Sequence, residues 1–193
     1  MALTLVTGPT SEPLTLQQAK DHLRLDTDDD DALVLDLIKA ARVWVEGQTK
    51  RAILTQTWDY SIDWGYPYRD GQPYIQLPLN PVSSVTSITY VDGSSPNPSL
   101  SAGDYTVAAR KHGSYIVPAY NTTWVTPRSV PDAVVVRFIA GESSCPKPLE
   151  RAIALLVTHM YENRETIKAG QGQVLVDIPY TLEAMISPYR AGI

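Results

Sequence analysis

The sequence predicts an α+β fold in which N- and C-terminal helices pack together as a small bundle and an antiparallel β subdomain is inserted between them. Apolar residues recur at helical spacing in Leu16–Gln48 and in Leu149–Tyr161. The stretch between them alternates at strand spacing and is interrupted by Pro and Gly. Neither helical end is long enough to bury its own apolar stripe, so the two ends are expected to pack on each other.

This organisation divides the chain into three predicted segments. The helical core is expected at residues 1–52 and 146–193, and the inserted β subdomain at residues 53–145. A helical core with a projecting insertion is typical of a part that assembles with other subunits more than of a catalyst.

The composition is that of a folded globular protein: 193 residues, of which 44% are hydrophobic and 19% charged. No run approaches the ~18 apolar residues of a membrane span. The start, Met1–Pro9, lacks the basic flank and long apolar stretch of a signal peptide, so a cytoplasmic product is expected. The single Cys145 excludes an internal disulfide. A net charge of −5 argues against a surface broadly dedicated to nucleic acid.

Two helices are predicted near the N-terminus. After an extended lead-in over Met1–Pro13, Thr15 and Gln18 form a capping-box pattern that begins a short helix ending near Leu25. A longer helix follows, with an apolar stripe predicted at Leu33, Leu37, Ala40, Ala41, Trp44 and Val45.

An acidic run separates these two helices. Asp26, Asp28 and Asp30 have the spacing of a calcium-binding EF-hand loop. Asp31 stands where that loop needs Gly, however, and Leu37 stands where it needs the bidentate Glu. The favoured interpretation is a carboxylate cluster at the positive end of the next helix dipole.

Six main strands are predicted from alternation and from bounding Pro and Gly residues. They are Ile53 to about Trp64, Tyr74–Leu77, Val85–Val91, Tyr105–Ala108, Ser114–Val117 and Ala133–Ala140. The fourth and fifth are expected to pair across a polar turn. The last is nearly all apolar, which predicts a central strand.

A long helix is predicted near the C-terminus, opened by Pro146 and Pro148. Its stripe is predicted at Leu149, Ile153, Leu156, Val157, Met160 and Tyr161. The segment Glu165–Val176 loses this periodicity and is interpreted as a flexible loop. A short closing helix starts at Pro179 and is ended by Pro188, so that Tyr189–Ile193 is expected to be a loose tail.

The chain offers no catalytic, cofactor-binding or metal-binding motif. None of its three histidines has a second ligand of the right type at i+3 or i+4, and no Gly-x-Ser-x-Gly elbow or phosphate-cradling glycine loop is present. Carboxylates at Asp63, Asp70 and Asp104 could still meet in space. A hydrolase with an unrecognised carboxylate pair therefore stays open as an alternative.

One aromatic cluster could carry binding: Trp58, Tyr60, Trp64, Tyr66, Tyr68 and Tyr74. Exposed aromatic rings stack on sugars, which keeps a carbohydrate-binding β module open. The other interpretation is that Trp58, Tyr60 and Ile62 supply the core of a small sheet. Tyr66 and Tyr68 would then lie in a subunit interface, where aromatic residues are enriched.

Five segments together resemble a known family, in collinear order over almost the whole chain. They are Glu12–Arg24, Thr49–Trp58, Leu77–Tyr90, Leu155–Glu165 and Ile178–Arg190. The family is that of the head–tail connectors (head completion or adaptor proteins) of long-tailed phages and of prophage-derived gene transfer agents.

The resemblance implies a structural protein of the virion neck, made in the host bacterial cytoplasm. It implies a ring of identical subunits, expected to be a dodecamer, that binds the portal protein and a tail or stopper protein. DNA would be only passing cargo, and no membrane is involved. Because such adaptors dock through terminal segments, Tyr189, Arg190 and Ile193 are expected to bind partners, together with Tyr66 and Tyr68. A carbohydrate-binding module and a virion-associated hydrolase remain the alternatives.

Overall fold

The structure is a computed structural model, and the residues it describes fall into two compact units. The described ranges are 1–63, 68–69, 72–94, 97–110, 113–163 and 180–190. Within them, residues 1–10 and 50–143 form one unit, called the β unit below. Residues 11–49 and 144–190 form the other, called the helical unit.

The helical unit combines the segments of the chain that lie before and after residues 50–143. Its helices are α1 (Leu16–Leu23), α2 (Asp31–Thr49), α3 (Lys147–Glu162) and α4 (Tyr180–Ile186), followed by one turn of 3₁₀ helix, Ser187–Tyr189. Both α1 and α2 pack on α3, and α4 packs on α2 and α3. The predicted packing of N-terminal on C-terminal helices, and the α+β class, are therefore confirmed.

Helix α1 begins as predicted. The Thr15 hydroxyl accepts a hydrogen bond from the backbone N–H of Gln18 (3.2 Å), and the Gln18 side chain accepts one from the backbone N–H of Thr15 (2.8 Å). This reciprocal arrangement satisfies two donors that the first turn leaves without a helical partner. The helix ends at Arg24 in the left-handed conformation, with φ at 59°.

The buried face of α2 differs from the predicted one. Its fully buried apolar residues are Val34, Ile38, Ala41 and Val45. Of the predicted stripe, Ala41 and Val45 are buried, Ala40 is exposed, and Leu33, Leu37 and Trp44 are only half-buried. The helix has apolar residues nearly all round, so periodicity alone could not distinguish two neighbouring, partly overlapping faces.

The predicted stripe of α3 is largely correct. Buried positions on this helix are Leu149, Ala152, Ile153, Ala154, Leu156 and Val157, whereas Met160 and Tyr161 at its end are half-buried. Leu182 and Ile186 of α4 are also fully buried, and they complete the apolar centre of the helical unit.

Within its described residues, the β unit contains nine strands in three sheets. The strands are β1 (Ala2–Thr7), β2 (Gln56–Ile62), β3 (Tyr68–Arg69), β4 (Gln72–Pro73), β5 (Ile75–Leu77), β6 (Val82–Tyr90), β7 (Tyr105–Ala108), β8 (Ser114–Pro118) and β9 (Val134–Ala140). The largest sheet has the order β1-β2-β9-β6, a second has the order β5-β8-β7, and β3 pairs with β4. All pairs are antiparallel.

Most predicted strands are present within a few residues of their predicted ends. The pairing of β7 with β8 is confirmed, as is the interior position of β9. The first predicted strand is shorter than expected, because Ile53 and Leu54 are buried outside regular pairing.

One prediction about the N-terminus is wrong. The lead-in is extended, as predicted, but Ala2–Thr7 pairs with β2 in the β unit, whereas residues 1–52 were expected to belong to the helical core. All six residues of β1 are exposed. The alternation of apolar and polar residues there covers only Leu3, Thr4 and Leu5, which is too short to predict a strand.

One apolar cluster forms the core of the β unit and draws side chains from two sheets. Its members include Ile62, Ile88, Val134, Val136 and Phe138 of the four-stranded sheet and Ile75, Leu77 and Ile116 of the three-stranded sheet. Phe138, for example, lies in register between Trp58 and Val85. Cross-strand rows of this kind are the main source of side-chain stabilisation in a sheet.

Candidate subunit and partner interfaces

The structure brings together only two of the five residues predicted to bind partners. Tyr189 closes the 3₁₀ turn and is half-buried, and Arg190 follows it and is exposed. Tyr66 and Ile193 lie outside the described residues, as does the predicted loop Glu165–Val176. Tyr68 belongs to β3, but its side chain is not described.

The beginning of the predicted loose tail is tied to α4. A guanidinium nitrogen of Arg190 lies 2.5 Å from a carboxylate oxygen of Glu183, and its backbone N–H donates to the carbonyl of Ser187 at 3.3 Å. Tyr189 and Arg190 are therefore not loose, and that part of the expectation is wrong. Helix α4 ends at Ile186, but Pro188 does not prevent the 3₁₀ turn Ser187–Tyr189 that follows, because proline is tolerated in the first turn of a helix.

The acidic run before α2 is held by one buried lysine. Lys20 Nζ lies 2.5 Å from Asp28 Oδ1 and 2.8 Å from Asp31 Oδ1. Hydrogen bonds to these two carboxylates raise the pKa of Lys20, and the bond from Lys20 lowers the pKa of Asp28. Asp31 also occupies the first turn of α2, as the helix-dipole interpretation requires. The run thus closes the turn between α1 and α2.

A second buried cation fastens the segment before α1 to α2. Arg42 Nε donates to Glu12 at 2.7 Å, Nη2 donates to the same carboxylate at 3.4 Å, and Nη1 donates to Glu46 at 2.8 Å. The Arg42 side chain is only 10% exposed. The spacing of Arg42 and Glu46 by four residues gave a sequence signal for one half of this cluster. No comparable signal pointed to Glu12.

The imidazole of His22 lies beside a guanidinium group. Its Nδ1 is 3.3 Å from Nη1 of Arg151 on α3. Partial burial lowers the pKa of His22, and the positive charge of Arg151 lowers it further. On the neighbouring surface, the Tyr161 hydroxyl donates a hydrogen bond to Asp30. Both contacts link the N-terminal part of this unit to α3.

The β unit is closed where the chain enters and leaves it. The backbone N–H of Thr55 donates to the carbonyl of Glu142 at 3.1 Å, and that of Gly141 donates to the carbonyl of Pro81 at 2.9 Å. The buried Arg51 guanidinium forms an ion pair with the Glu142 carboxylate. Gly141 has φ at +104°, and a Cβ built on it would lie 2.0 Å from the carbonyl oxygen of Leu54. Only glycine fits there.

The described aromatic residues of the predicted cluster, Trp58, Tyr60 and Tyr74, are half-buried in the β unit. Trp58 and Tyr60 lie against its apolar core, and burial raises the pKa of Tyr60. The rings of Tyr74 and Tyr115 meet edge to face at 6.4 Å. The core-forming interpretation of Trp58, Tyr60 and Ile62 is confirmed. These rings do not form an open platform on which a sugar could stack.

The two described carboxylates that were candidates for a catalytic pair have structural partners. Asp63 accepts a hydrogen bond from the backbone N–H of Asp132 at 2.9 Å, and this bond contributes most to lowering its pKa. Asp104 accepts one from the backbone N–H of Ser101 at 3.0 Å. A general acid at neutral pH needs a raised pKa, so Asp63 does not suit that role.

In the part of the chain that the structure describes, no group of three or more His, Cys, Asp or Glu residues is placed to hold a metal ion. Over the same residues, no helix combines the length and the apolar composition that a membrane crossing needs.

Exposed apolar side chains concentrate on two described surfaces. On α2, Leu35 and Val43 lie two turns apart on the outer face and are 40% and 57% exposed. On β1, Leu3, Leu5 and Val6 are 36–46% exposed. Apolar surface that remains exposed on a folded chain marks candidate contacts with other subunits. The sequence analysis assigned no interface to either surface.

A family model matches residues 13–91, which extend from the segment before α1 through β6. Its description is the phage gp6-like head-tail connector protein. A comparison with curated proteins found no match.

Solved structures match over the whole chain. A chain from the neck of an empty gene transfer agent particle, computed with C6 symmetry, has a TM-score of 0.82. A chain from the neck of the native particle, computed with C12 symmetry, has a TM-score of 0.77, and one from the native virion has 0.76. Each is 25% identical in sequence, and each alignment covers 100% of this chain and 97% of the other. The resemblance to phage and gene transfer agent head–tail connectors is thereby confirmed.

Proposed function

We propose that this protein is a structural subunit of the neck of a tailed phage or gene transfer agent, where a ring of identical copies joins the head to the tail. The observation that carries this proposal is the similarity of the whole chain, in both of its units, to chains that come from gene transfer agent necks. The match of residues 13–91 to a head–tail connector model supports the same function independently of the structural comparison.

The proposed ring fits the surfaces of the chain. A closed ring of identical subunits needs two different patches on each copy, because every contact is heterologous. The described residues expose apolar side chains on β1 and on the outer face of α2, and β1 is a candidate for one of these two patches. The C6 and C12 symmetries of the similar necks support a ring, and twelve copies is the number we propose.

Within that ring, DNA would pass without being bound tightly. The net charge of −5 favours this role, since a conduit that held phosphates through many basic side chains would resist their movement. We propose the portal protein and a tail or stopper protein as the partners on either side. We propose no enzymatic activity: the matching family is a structural one.

We further propose that Tyr189, Arg190 and Ile193 contact a neighbouring neck protein, and that Tyr66 and Tyr68 lie in an interface. Arg190 allows a direct test because it also pairs with Glu183. Arg190→Glu would break that pair, and the double variant Arg190→Glu with Glu183→Arg would restore it with its polarity reversed.

If Arg190 binds a partner, both variants should fail to join heads to tails although the double variant folds normally. If its role is confined to holding the end of α4, the double variant should assemble like the wild type. That second result would remove Arg190 from the proposed interface.

The function itself is tested by removing the gene from a producing cell. We expect DNA-filled heads and separate tails to accumulate, and a plasmid copy of the gene to restore complete particles. Complete, functional particles in the absence of this chain would overturn the proposal. If particles assemble but lose binding to a glycan-coated host, the carbohydrate-binding alternative would be favoured instead.

A further inference from the structure

The four-stranded sheet extends past the core of the β unit at one edge. Two rows of apolar side chains cross it in register. They are Leu3, Tyr60, Val136 and Ile88 in one row, and Leu5, Trp58, Phe138 and Val85 in the other. Residues paired across strands lie on the same face, so each row continues the face that packs on the core. Burial is complete in β9, partial in β2, and lost in β1.

Both edge strands lack the charged side chains that often protect exposed sheet edges. Neither β1 (ALTLVT) nor β6 (VSSVTSITY) contains a charged residue. The charged pair of this sheet is on its interior strands, where the Arg137 guanidinium lies 2.7–2.8 Å from the Asp59 carboxylate oxygens. Natural edge strands are commonly guarded by charged side chains that discourage pairing with another chain. Here the charged residues lie on the interior strands and the edge strands have none, so charge does not oppose pairing of these edges with another chain.

The outer side of each edge strand is free over a similar length. The backbone of Ile88 and Tyr90 in β6 is already bonded to Leu100 and Pro98. Among the described residues, none forms a backbone hydrogen bond with the outer edge of β1 or with the outer edge of Val82–Ser87 in β6. Bulges at Val82/Ser84 and Val85/Ser87 shape this open part of β6 and limit the pairing there to short runs on either side.

The directions of the strands decide how two copies can join. Because the order is β1-β2-β9-β6 and every neighbour is antiparallel, β1 and β6 run in opposite directions. When β1 of one copy lies beside β6 of the next, the new pair is therefore also antiparallel. This joint uses a different edge from each copy, so it is heterologous, as a closed ring requires.

We infer that β1 of each copy pairs with the Val82–Ser87 part of β6 in the next copy, so that the sheets join head to tail around the ring. This inference rests on the proposed function, which supplies the ring. The added strand covers Leu3 and Leu5 and places them beside Val85 of the neighbour. It also satisfies the outer backbone donors and acceptors of β1, which is the usual basis of strand addition between chains.

Disulfide trapping tests the pairing. Thr4, Ser84 and Ser87 share the face of the sheet that carries Asp59 and Arg137. Cysteines that face each other on neighbouring strands are within bonding reach. In a Cys145→Ser background, we would make Thr4→Cys with Ser84→Cys, Thr4→Cys with Ser87→Cys, and each single variant. Particles purified from producing cells would be oxidised, denatured and separated without a reducing agent.

At least one double variant should give a ladder of covalently linked copies, and the single variants should remain monomeric. A dimer from Thr4→Cys alone would overturn the inference in favour of β1 pairing with β1. Particles that contain the chain but give no ladder from either double variant would also overturn it while leaving the ring intact. Particles that lack the chain altogether would overturn the proposed function, and this inference with it.

A second variant checks the apolar rows without engineered cysteines. Leu5→Lys places a charge on the exposed end of one row, and Tyr120→Lys makes the same charge change at a residue of the same unit that is 93% exposed. Both variants should fold, as judged by circular dichroism and thermal melting. We expect Leu5→Lys to lose ring assembly and Tyr120→Lys to keep it. Normal assembly of the Leu5→Lys chain would contradict the inference.

Discussion

The helical unit and the β unit are stabilised in different ways. In the helical unit, Lys20 and Arg42 are buried, and each is held between two carboxylates that fasten loops to helix faces. In the β unit, a continuous apolar cluster holds the sheets, and backbone bonds around Gly141 close the unit. The comparison teaches that changes of side-chain charge should affect the helical unit more than the β unit. Apart from the Arg51–Glu142 ion pair at its closure, the β unit should respond mainly to changes of backbone conformation and core volume.

The largest effect is expected from Gly141→Ala. The added Cβ would lie 2.0 Å from the Leu54 carbonyl oxygen, and the residue would be held at φ +104°. We expect a loss of about 4 kcal/mol or more in the free energy of unfolding of the β unit. Urea unfolding followed by tryptophan fluorescence measures it.

The matched control is Gly47→Ala, at a position in α2 where nothing lies within 4 Å of the added Cβ. This change should stabilise the helical unit by about 0.5–1 kcal/mol, because alanine favours a helix over glycine. Equal effects of the two substitutions would contradict the account of the closure around Gly141.

Core truncation in α2 tests which face of the helix is buried. Ile38 is fully buried, so Ile38→Ala should cost about 2–5 kcal/mol. The sequence pattern placed Trp44 in the core with a predicted cost of about 3–5 kcal/mol for Trp44→Ala. Because Trp44 is half-buried, we now expect that variant to cost less than Ile38→Ala. If Trp44→Ala instead lowers the free energy of unfolding more than Ile38→Ala does, the buried face of α2 is the one predicted from the sequence.

Helix α2 and the strands of the β unit illustrate what the sequence could and could not predict. The existence of α2, of the capping box at Thr15 and of the central strand β9 followed from local patterns, because each has a strong periodic or capping signal. The face of α2 and the strand β1 did not follow, since apolar residues surround that helix and both faces of that strand are exposed. Burial depends on what packs there, which a single sequence does not record.

The residues proposed to bind partners could be named only through the family resemblance. Their chemistry is ordinary, and nothing in their spacing distinguishes Tyr189 or Arg190 from surface residues elsewhere. For the buried Arg42, the sequence indicated only one of its two partners, Glu46, which lies four residues later. Glu12 could not be found, because it approaches from thirty residues away in the chain.

Breaking one buried cation sharpens the contrast between the units. Arg42→Met leaves Glu12 and Glu46 close together without their shared partner, and we expect a loss of about 3 kcal/mol in the stability of the helical unit. Adding Glu12→Gln and Glu46→Gln to this variant should recover most of the loss, because the neutral side chains no longer repel each other. A triple variant no more stable than Arg42→Met would show that Arg42 stabilises the helical unit through packing rather than through its charge.

The smallest effect expected is a pH dependence centred on His22. Its pKa is lowered in the folded chain, so below about pH 6.5 the unfolded chain binds more protons at this site. The free energy of unfolding should therefore fall as the pH is lowered from about 6.5 through the folded pKa. His22→Gln should flatten this slope, and Arg151→Gln should reduce it. Melting curves between pH 7 and pH 5 that are identical for the wild type and His22→Gln would contradict the assignment.

The central claim, that this chain is a ring subunit of the neck, is tested most directly by cryo-electron microscopy of particles from a cell that produces it. The account predicts repeated density of this two-unit fold around the particle axis, between the head and the tail, in a closed ring of equivalent copies. Density for this chain elsewhere in the particle, or a single copy in the neck, would contradict it.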